Sequence, residues 1–359
     1  MTPGKFVDMS LGDPGYGPPR EALAAVAAFL RTESRGYAPR GGFRWLREAL
    51  AEKLCKQNVI DASADEVVVT TGASHGIFAV LSALCQPGDT IIIPDPGFPH
   101  YRLAARILGL SVQSYSLDAD RGNEPDWDAI ERSSAQARVL IWNFPSNPLG
   151  VDNPQWNAKV LELIGGHPGL FLLSDEVYED LIFAGDHQSP AAVAGPNADR
   201  IVSVFSFSKS YAMTGWRIGY VHARPDLGAA IARCHWGVSM STPTVAQVAA
   251  LAALHAPPSY LLEYRAFLTR NRDIAVQQLN SAGYRCSPPT GGFFLWTDIS
   301  GTQLGAAAFA ERSARELKVL VSPGTDFSPS ATDRVRLSFA LSETQLRDGL
   351  ERLCRWSPA

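Results

Sequence analysis

The stretch SFSKSYAMTGWRIGY at 206–220 gathers two serines, a lysine and an arginine: Ser206 and Ser208 flank the approach to Lys209, and Arg217 follows eight residues later. A lone lysine in a serine-rich turn is ordinarily solvated. In this company it reads differently, because two hydroxyls and a planar guanidinium make a cup for a phosphate. An amine at the other end of such a ligand can form a Schiff base with an aldehyde. A second cluster, NFPSNPLG at 143–150, follows the apolar run VLIW; in isolation it reads as a proline-rich turn. A third, SDEVYED at 174–180, sets Asp175 at the end of LFLLS. Asp175 and Tyr178 are three apart, so a helical turn there would put both on one face. The plain reading of Asp175 is a helix N-cap, yet the carboxyl end of a strand is also where α/β sheets place ligand chemistry.

The elements that must carry these groups show in the hydrophobic pattern. Strands are expected at 66–70, 90–94, 112–117, 138–142, 170–174, 200–205 and 217–222. Runs such as VVVT and IIIP are apolar on both faces, as strands covered by helices on both sides should be. Helical stretches at 74–84 and 99–108 lie between them, and the alternation predicts a mainly parallel sheet. From about residue 245 the texture changes. The helix VAQVAALAAL, a long amphipathic helix over 259–282, a strand in GGFFLWTDI, a helix over 304–317, a strand around 334–339 and a closing helix over 342–356 read as α+β. The predicted fold is therefore α/β: a large domain with a seven-stranded, mainly parallel sheet sandwiched by helices, and a smaller α+β domain built from both chain ends. The expected division is 28–255 for the large domain, with 1–27 and 256–359 forming the small one.

Composition bounds the function classes. The chain has 359 residues, with 32 Lys and Arg against 36 Asp and Glu for a net charge of −4. Without basic clusters it carries no electrostatic footprint for nucleic acid or an anionic membrane surface. No apolar run approaches the roughly 18 residues of a membrane span, and no apolar segment near the start suggests a secretory signal. The five cysteines are scattered and never form C-x-x-C, which fits reduced thiols in a cytoplasmic protein and no metal site.

One motif misleads. VVVTTGASHGIF at 67–78 runs strand, glycine turn, helix, as a dinucleotide-binding dehydrogenase would. Phe78 stands where the last glycine of that pattern belongs, and no Y-x-x-x-K proton-transfer pair exists in the chain. What survives is an anion cup at a helix N-terminus. Amine, phosphate cup and strand-end carboxylate together suit pyridoxal 5'-phosphate, which needs a partner for its aldehyde, its phosphate and its pyridine nitrogen.

The order S-x-S-K-x-x-x-M-x-G-W-R-I-G, N-x-P-x-N-P-x-G and D-E-V-Y resembles the class I/II aminotransferase family of fold-type I pyridoxal-phosphate enzymes (aspartate aminotransferase-like), from LGDPG near residue 12 to RLSFA near residue 340. The resemblance implies transfer of an amino group from an L-amino acid to a 2-oxo acid through a Lys209 Schiff base. It makes Asp175 the partner of the pyridinium nitrogen and sets Tyr178 and Asn147 at the phenolic oxygen. Gly72, Ala73 and Ser74 would hold the phosphate with Ser206, Ser208 and Arg217, and Phe98 in DPGFPHY would stack on the ring. Arg336 in VRLSFA would clamp the substrate carboxylate, with Gly12 nearby. Arg334 lies two residues earlier on the same strand face, so spacing alone does not choose between the two arginines. Tyr37 matches a tyrosine that reaches the phosphate of a neighbouring subunit, which implies a homodimer with shared active sites. GDPG at residue 12 leaves room for only a shortened N-terminal arm, and with it an altered substrate mouth. His75 and Trp142 read as packing.

Two rival functions remain at this level. The same scaffold performs β/γ-elimination, replacement and cyclisation, as in C–S lyases and biosynthetic cyclases, and the motifs are shared. A transcriptional regulator with an aminotransferase-like sensor would need a basic DNA-binding segment ahead of the family region, and only about a dozen residues precede it.

Overall fold

The computed structural model describes residues 5–32, 36–118 and 122–356; the outermost residues of the predicted small domain, 1–4 and 357–359, fall outside these. In chain order the elements begin β1 (Val7–Asp8), α1 (Arg20–Thr32), α2 (Arg44–Gln57), β2 (Val67–Thr70), α3 (Ala73–Leu84), β3 (Thr90–Asp95) and α4 (His100–Leu108). Next come β4 (Ser111–Asp118), β5 (Glu124–Pro125), α5 (Trp127–Ser134), β6 (Ala137–Asn143), α6 (Trp156–Gly166), β7 (Phe171–Asp175), β8 (Ile201–Ser206), α7 (Phe207–Ser210) and β9 (Gly219–His222). The chain continues through α8 (Pro225–Ser239), α9 (Thr244–Leu254), α10 (Ser259–Ser281), β10 (Phe294–Asp298) and α11 (Ala306–Arg312). It ends with β11 (Val319–Leu320), β12 (Ser322–Pro323), β13 (Arg334–Ser338) and α12 (Glu343–Leu353).

All seven expected strands of the large sheet are present, and the two-residue β5 adds an eighth at the edge, in the order β2-β9-β8-β7-β6-β3-β4-β5. The strands β8, β7, β6, β3 and β4 run parallel, while β9 is antiparallel to both its neighbours. The doubly apolar strands are explained by what covers them. Ile91 and Ile93 pack under α3, α4 and α8, whereas Ile92, between them, joins Leu140, Trp142 and the residues of α5 and α6 on the opposite face. The period of two therefore serves two cores at once.

The C-terminal part has its own antiparallel sheet, β10-β13-β12, and β1 pairs in parallel with β11. Val7 and Met9 share a core with α10 and α12, through Leu268, Leu346 and Leu350. Two local expectations need correction. Residues 177–180 after β7 form a turn instead of a helix, so Asp175 and Tyr178 are not set by helical spacing. The expected helix over 304–317 is α11 followed by a π-helical stretch, Ser313–Leu317, which ends at left-handed Lys318.

Candidate active site

Parallel strands deliver their carboxyl ends to one side of the sheet. Thr70, Asn143, Asp175 and Ser206 end β2, β6, β7 and β8 there, and Arg217 enters β9 from the same end. A cavity of about 540 Å³ opens at this edge. It is lined by Gly12, Ala73, Ser74, Phe98, Asn147, Asp175, Tyr178, Ser206, Ser208, Lys209, Arg217 and Arg336. Residues far apart in the chain thus converge because the topology requires it.

One end of the cavity gathers the groups expected to form an anion cup. Gly72 caps α3 with φ +81 and ψ 160, a conformation essentially reserved for glycine. A Cβ at Gly72 would lie 2.5 Å from Arg217 Nη2, so the missing side chain is what lets the guanidinium rest on the turn. Arg217 is itself left-handed (φ 54, ψ 59) and donates from Nη1 to the Thr214 carbonyl at 2.7 Å. Ser206 caps the short α7, its Oγ accepting from the Ser208 amide at 3.1 Å. Backbone amides at the start of the twelve-residue α3 face the same end.

Lys209 lies in α7, and its Nζ donates to the Gly12 carbonyl at 2.5 Å. Burial first, then the positive charges of Arg336 and Arg217, bring its ammonium down to about 8, against the pull of Asp13 and Asp175. A lysine so placed spends part of its time as a neutral amine near pH 7. A Cβ at Gly12 would stand 3.4 Å from this nitrogen and 3.2 Å from the Phe294 ring, so glycine keeps the approach narrow but open.

Asp175 is buried, and burial raises its carboxyl to about 6 despite the hydrogen bonds it accepts from Tyr101 and from the Val177 amide. Tyr101 O–H donates to Oδ2 at 2.5 Å, while Oδ1 is buried with no partner among the described residues. An orphan carboxylate oxygen in a cavity is the acceptor a protonated ring nitrogen needs. Tyr178 is buried beside it, its phenol raised above the ordinary range by desolvation. Asn147 is positioned by Asn143, whose Oδ1 accepts from the Asn147 amide at 3.0 Å. Asn143 Nδ2 in turn donates to the Asp175 carbonyl at 3.0 Å.

At the opposite end Arg336 is buried between the rings of Phe294 and Phe327, 3.9 and 4.6 Å from their centroids. It donates to Asn147 Oδ1 at 3.0 Å, to the Ser10 carbonyl at 2.5 Å and to Ser322 Oγ at 3.4 Å, and its Nε has no partner among the described residues. All of these acceptors are neutral. Desolvation lowers Arg336 to about 10, and a carboxylate is the group that would satisfy its free donor in bidentate fashion. Arg334, by contrast, is paired with Asp298. Burial and pairing thus distinguish two arginines that spacing left equivalent.

Of the residues singled out in the sequence, Gly72 lies just behind the cavity wall under Arg217. Tyr37 stands apart: it is 84% exposed and borders a different groove, with Phe29 and Ser241. Trp142 is buried in the sheet core, and His75 packs against His235 with centroids 4.3 Å apart and the rings tilted by 33°. The sequence reading missed Tyr101, although it lies in the same DPGFPHY motif as Phe98, and it missed Asn143, the first residue of NFPSNPLG. It also missed Asp13, whose carboxylate accepts from Thr214 Oγ1, and Phe294, the ring beneath Arg336. These contacts join segments remote in the chain, and no local spacing announces them.

Known proteins similar to this chain in sequence and in fold are numerous. The family model for aminotransferase class I and II matches residues 4–353. The chain is 33% identical to the aspartate/prephenate aminotransferase of Thermus thermophilus over 354 residues, covering 98% of this chain and 90% of that one. It is 34% identical to an arginine–pyruvate transaminase of Pseudomonas aeruginosa over 349 residues, 96% of this chain and 88% of the relative. The solved structure of the Thermus thermophilus aspartate aminotransferase with maleate superposes with a TM-score of 0.93 at 33% identity, covering 98% and 92% of the two chains. With the lysine, carboxylate and two arginines gathered in one cavity and the match running along almost its whole length, the chain belongs to the class I and II aminotransferases and is a transaminase.

Proposed function

We propose that this transaminase works with pyridoxal 5'-phosphate, taking the amino group of an L-amino acid and passing it to a 2-oxo acid. The observation that carries this reading is the buried, partnerless Oδ1 of Asp175 in the same cavity as Lys209. When bound, the cofactor supplies an aldehyde and an electron-withdrawing pyridinium ring. Lys209 Nζ is the amine that meets the aldehyde and afterwards holds the proton removed from the substrate's α-carbon. Its lowered pKa suits both tasks. Asp175, ionised opposite a positive ring nitrogen, keeps that nitrogen protonated. Tyr178 and Asn147 orient the phenolic oxygen, and Phe98 covers the ring face. Gly72, Ala73 and Ser74, with Ser206, Ser208 and Arg217, bind the phosphate. Arg336 grips the substrate α-carboxylate, with Gly12 close by.

The same reading has a cytoplasmic homodimer, in which Tyr37 of each subunit reaches the other's phosphate. Exposure of the Tyr37 ring on a single chain supports it. The chain then divides at 28–255 and at 1–27 with 256–359, and a substrate enters between the parts.

Lys209→Ala in the cofactor-loaded protein should abolish the lysine-dependent visible absorbance and essentially all turnover; a variant that transaminates normally sinks the assignment. Single amino acids added without a 2-oxo acid should convert the cofactor to its aminated form. Release of ammonia instead would point to elimination. Sedimentation of the loaded protein tests the dimer, and a monomer with full activity would remove Tyr37 from the site.

A further inference from the structure

Asp175 ends β7, and Tyr178 follows in a turn closed by backbone bonds from the Glu179 amide to the Glu176 carbonyl at 3.0 Å and from the Leu181 amide to the Tyr178 carbonyl at 2.8 Å. Side-chain contacts tie this segment to the rest of the fold, and two of its acidic residues, Glu176 and Glu179, face inward. Glu176 is fully buried; its Oε2 lies 3.0 Å from His187 Nε2, and its Oε1 accepts from Ser189 Oγ at 2.9 Å. The second ring nitrogen of His187, Nδ1, lies 3.1 Å from Asp152 Oδ2. A neutral imidazole can donate from only one nitrogen, so a ring bonded to carboxylate oxygens at both is an imidazolium. Burial alone would lower His187; the hydrogen bonds to Asp152 and Glu176, with their charges, outweigh it and raise the ring to about 10.

Asp152 closes the loop that bears Asn147. The Ser146 amide donates to the Val151 carbonyl at 2.9 Å, the Val151 amide returns to Ser146 Oγ at 3.1 Å, and the Asp152 amide is held by Thr290 Oγ1 at 2.9 Å. Two loops from the ends of neighbouring strands β6 and β7 therefore meet at one charged ring. Beyond Glu176, Tyr220 and His222 of β9 lie within its electrostatic reach, and Asp175 is its neighbour in the chain. On the far side of the turn a separate anchor exists, Glu179 on Lys53 at 2.5 Å.

We propose that His187 is a positioning residue: its imidazolium cross-links the Asn147 loop to the Asp175–Tyr178 turn, so that Asn147 and Tyr178 address one point of the cavity. The inference rests on the functional reading above. Desolvating three charges is costly, and apolar packing of equal volume would serve stability as well. What the triad adds is direction.

The test uses full-length, cofactor-loaded His187→Gln and Asp152→Asn, without amino acid substrate. Loosening the groups that address the phenolic oxygen destabilises its ionised form, so the pH midpoint of the cofactor's visible absorbance should rise by about one unit. In His187→Gln, kcat should fall about tenfold to a hundredfold. Asp152→Asn, which cuts only the cross-link and leaves the Glu176 contact, should shift the midpoint in the same direction by less. In the cofactor-free protein, a raised histidine stabilises fully below about pH 6.5 and loses that contribution as pH climbs through about 10. Wild type should therefore lose more thermal stability between about pH 7 and 10 than His187→Gln does. Variants that fold, load and keep the wild-type midpoint and kcat overturn the proposal. A wild-type protein without lysine-dependent absorbance would instead overturn the cofactor reading itself.

Discussion

The two arginines of the cavity arrive by opposite routes. Arg217 is set mostly by its own neighbourhood, a left-handed backbone and a bond to Thr214 three residues back, with one remote contact, the bare backbone of Gly72 beneath it. Arg336 is set by the whole fold. Its contacts come from Ser10, Asn147 and Ser322 and from two aromatic rings, and the partners Ser10 and Asn147 lie 326 and 189 residues away. On the proposed function, Arg217 serves an anion that stays in place, and Arg336 serves a substrate that must come and go. Of the two, Arg336 is the one held where distant segments meet, and there it can respond to how those segments sit.

This contrast is breakable. Arg336→Leu should cost the most, because it strips the partner from a carboxylate bound in a buried site: about 2–5 kcal/mol, or roughly 30- to 5,000-fold in kcat/KM. Cofactor affinity should change little; a parallel loss of cofactor binding would show that the two ends are not separate. Gly72→Ala should do the reverse. The forbidden φ/ψ costs about 1–3 kcal/mol, and the new Cβ displaces the Arg217 guanidinium. Cofactor affinity measured by titration should fall roughly tenfold or more, with a smaller change in KM for the amino donor.

The pH dependence of cofactor uptake sharpens the comparison further. Only the neutral Lys209 amine reacts, so the uptake rate of the cofactor-free protein should climb as pH rises through about 8 and then level off. Burial and the charge of Arg336 both lower that lysine, with Arg217 a weaker contributor. Arg336→Leu should therefore move the midpoint upward by more than Arg217→Leu does. Equal shifts would contradict the electrostatic ordering. The smallest effect belongs to Arg334→Ala, whose partly exposed pair with Asp298 is worth about 0–1 kcal/mol. Its kinetics with the amino donor should stay near wild type, which separates it from the arginine two residues along.

Much of this site was readable in advance where the chemistry is local. Ser206, Ser208, Lys209 and Arg217 lie within one short segment, and Gly72–Ala73–Ser74 open a helix after an apolar strand, so the cup follows from spacing. The large sheet was readable for a similar reason, since runs apolar on both faces demand helices on both sides. The edge strand β5 was not, because two residues carry no period. The turn after β7 misled: DEVYED has a helical spacing, but Glu176 and Glu179 are drawn inward by His187, Ser189 and Lys53, and those partners outbid the local helix. Tyr101 on Asp175 and Asn143 on Asp175 were missed, since the first joins helix α4 to β7 and the second joins β6 to β7, and these elements meet only in the folded domain.

By itself, then, the amino-acid sequence determined the lysine with its serines and arginine, the glycine turn that opens a helix at 72–74 and the alternation of strand and helix, each of which depends on residues close along the chain; the order of these motifs along the chain gave the family. The tertiary structure alone decided that Arg336 is buried among neutral acceptors while Arg334 pairs with Asp298, and that Asp175 offers one bonded oxygen and, among the described residues, one free. It also decided that Lys209 is held below its ordinary pKa. Those are matters of burial, charge and direction, which arise only when remote segments exclude water together.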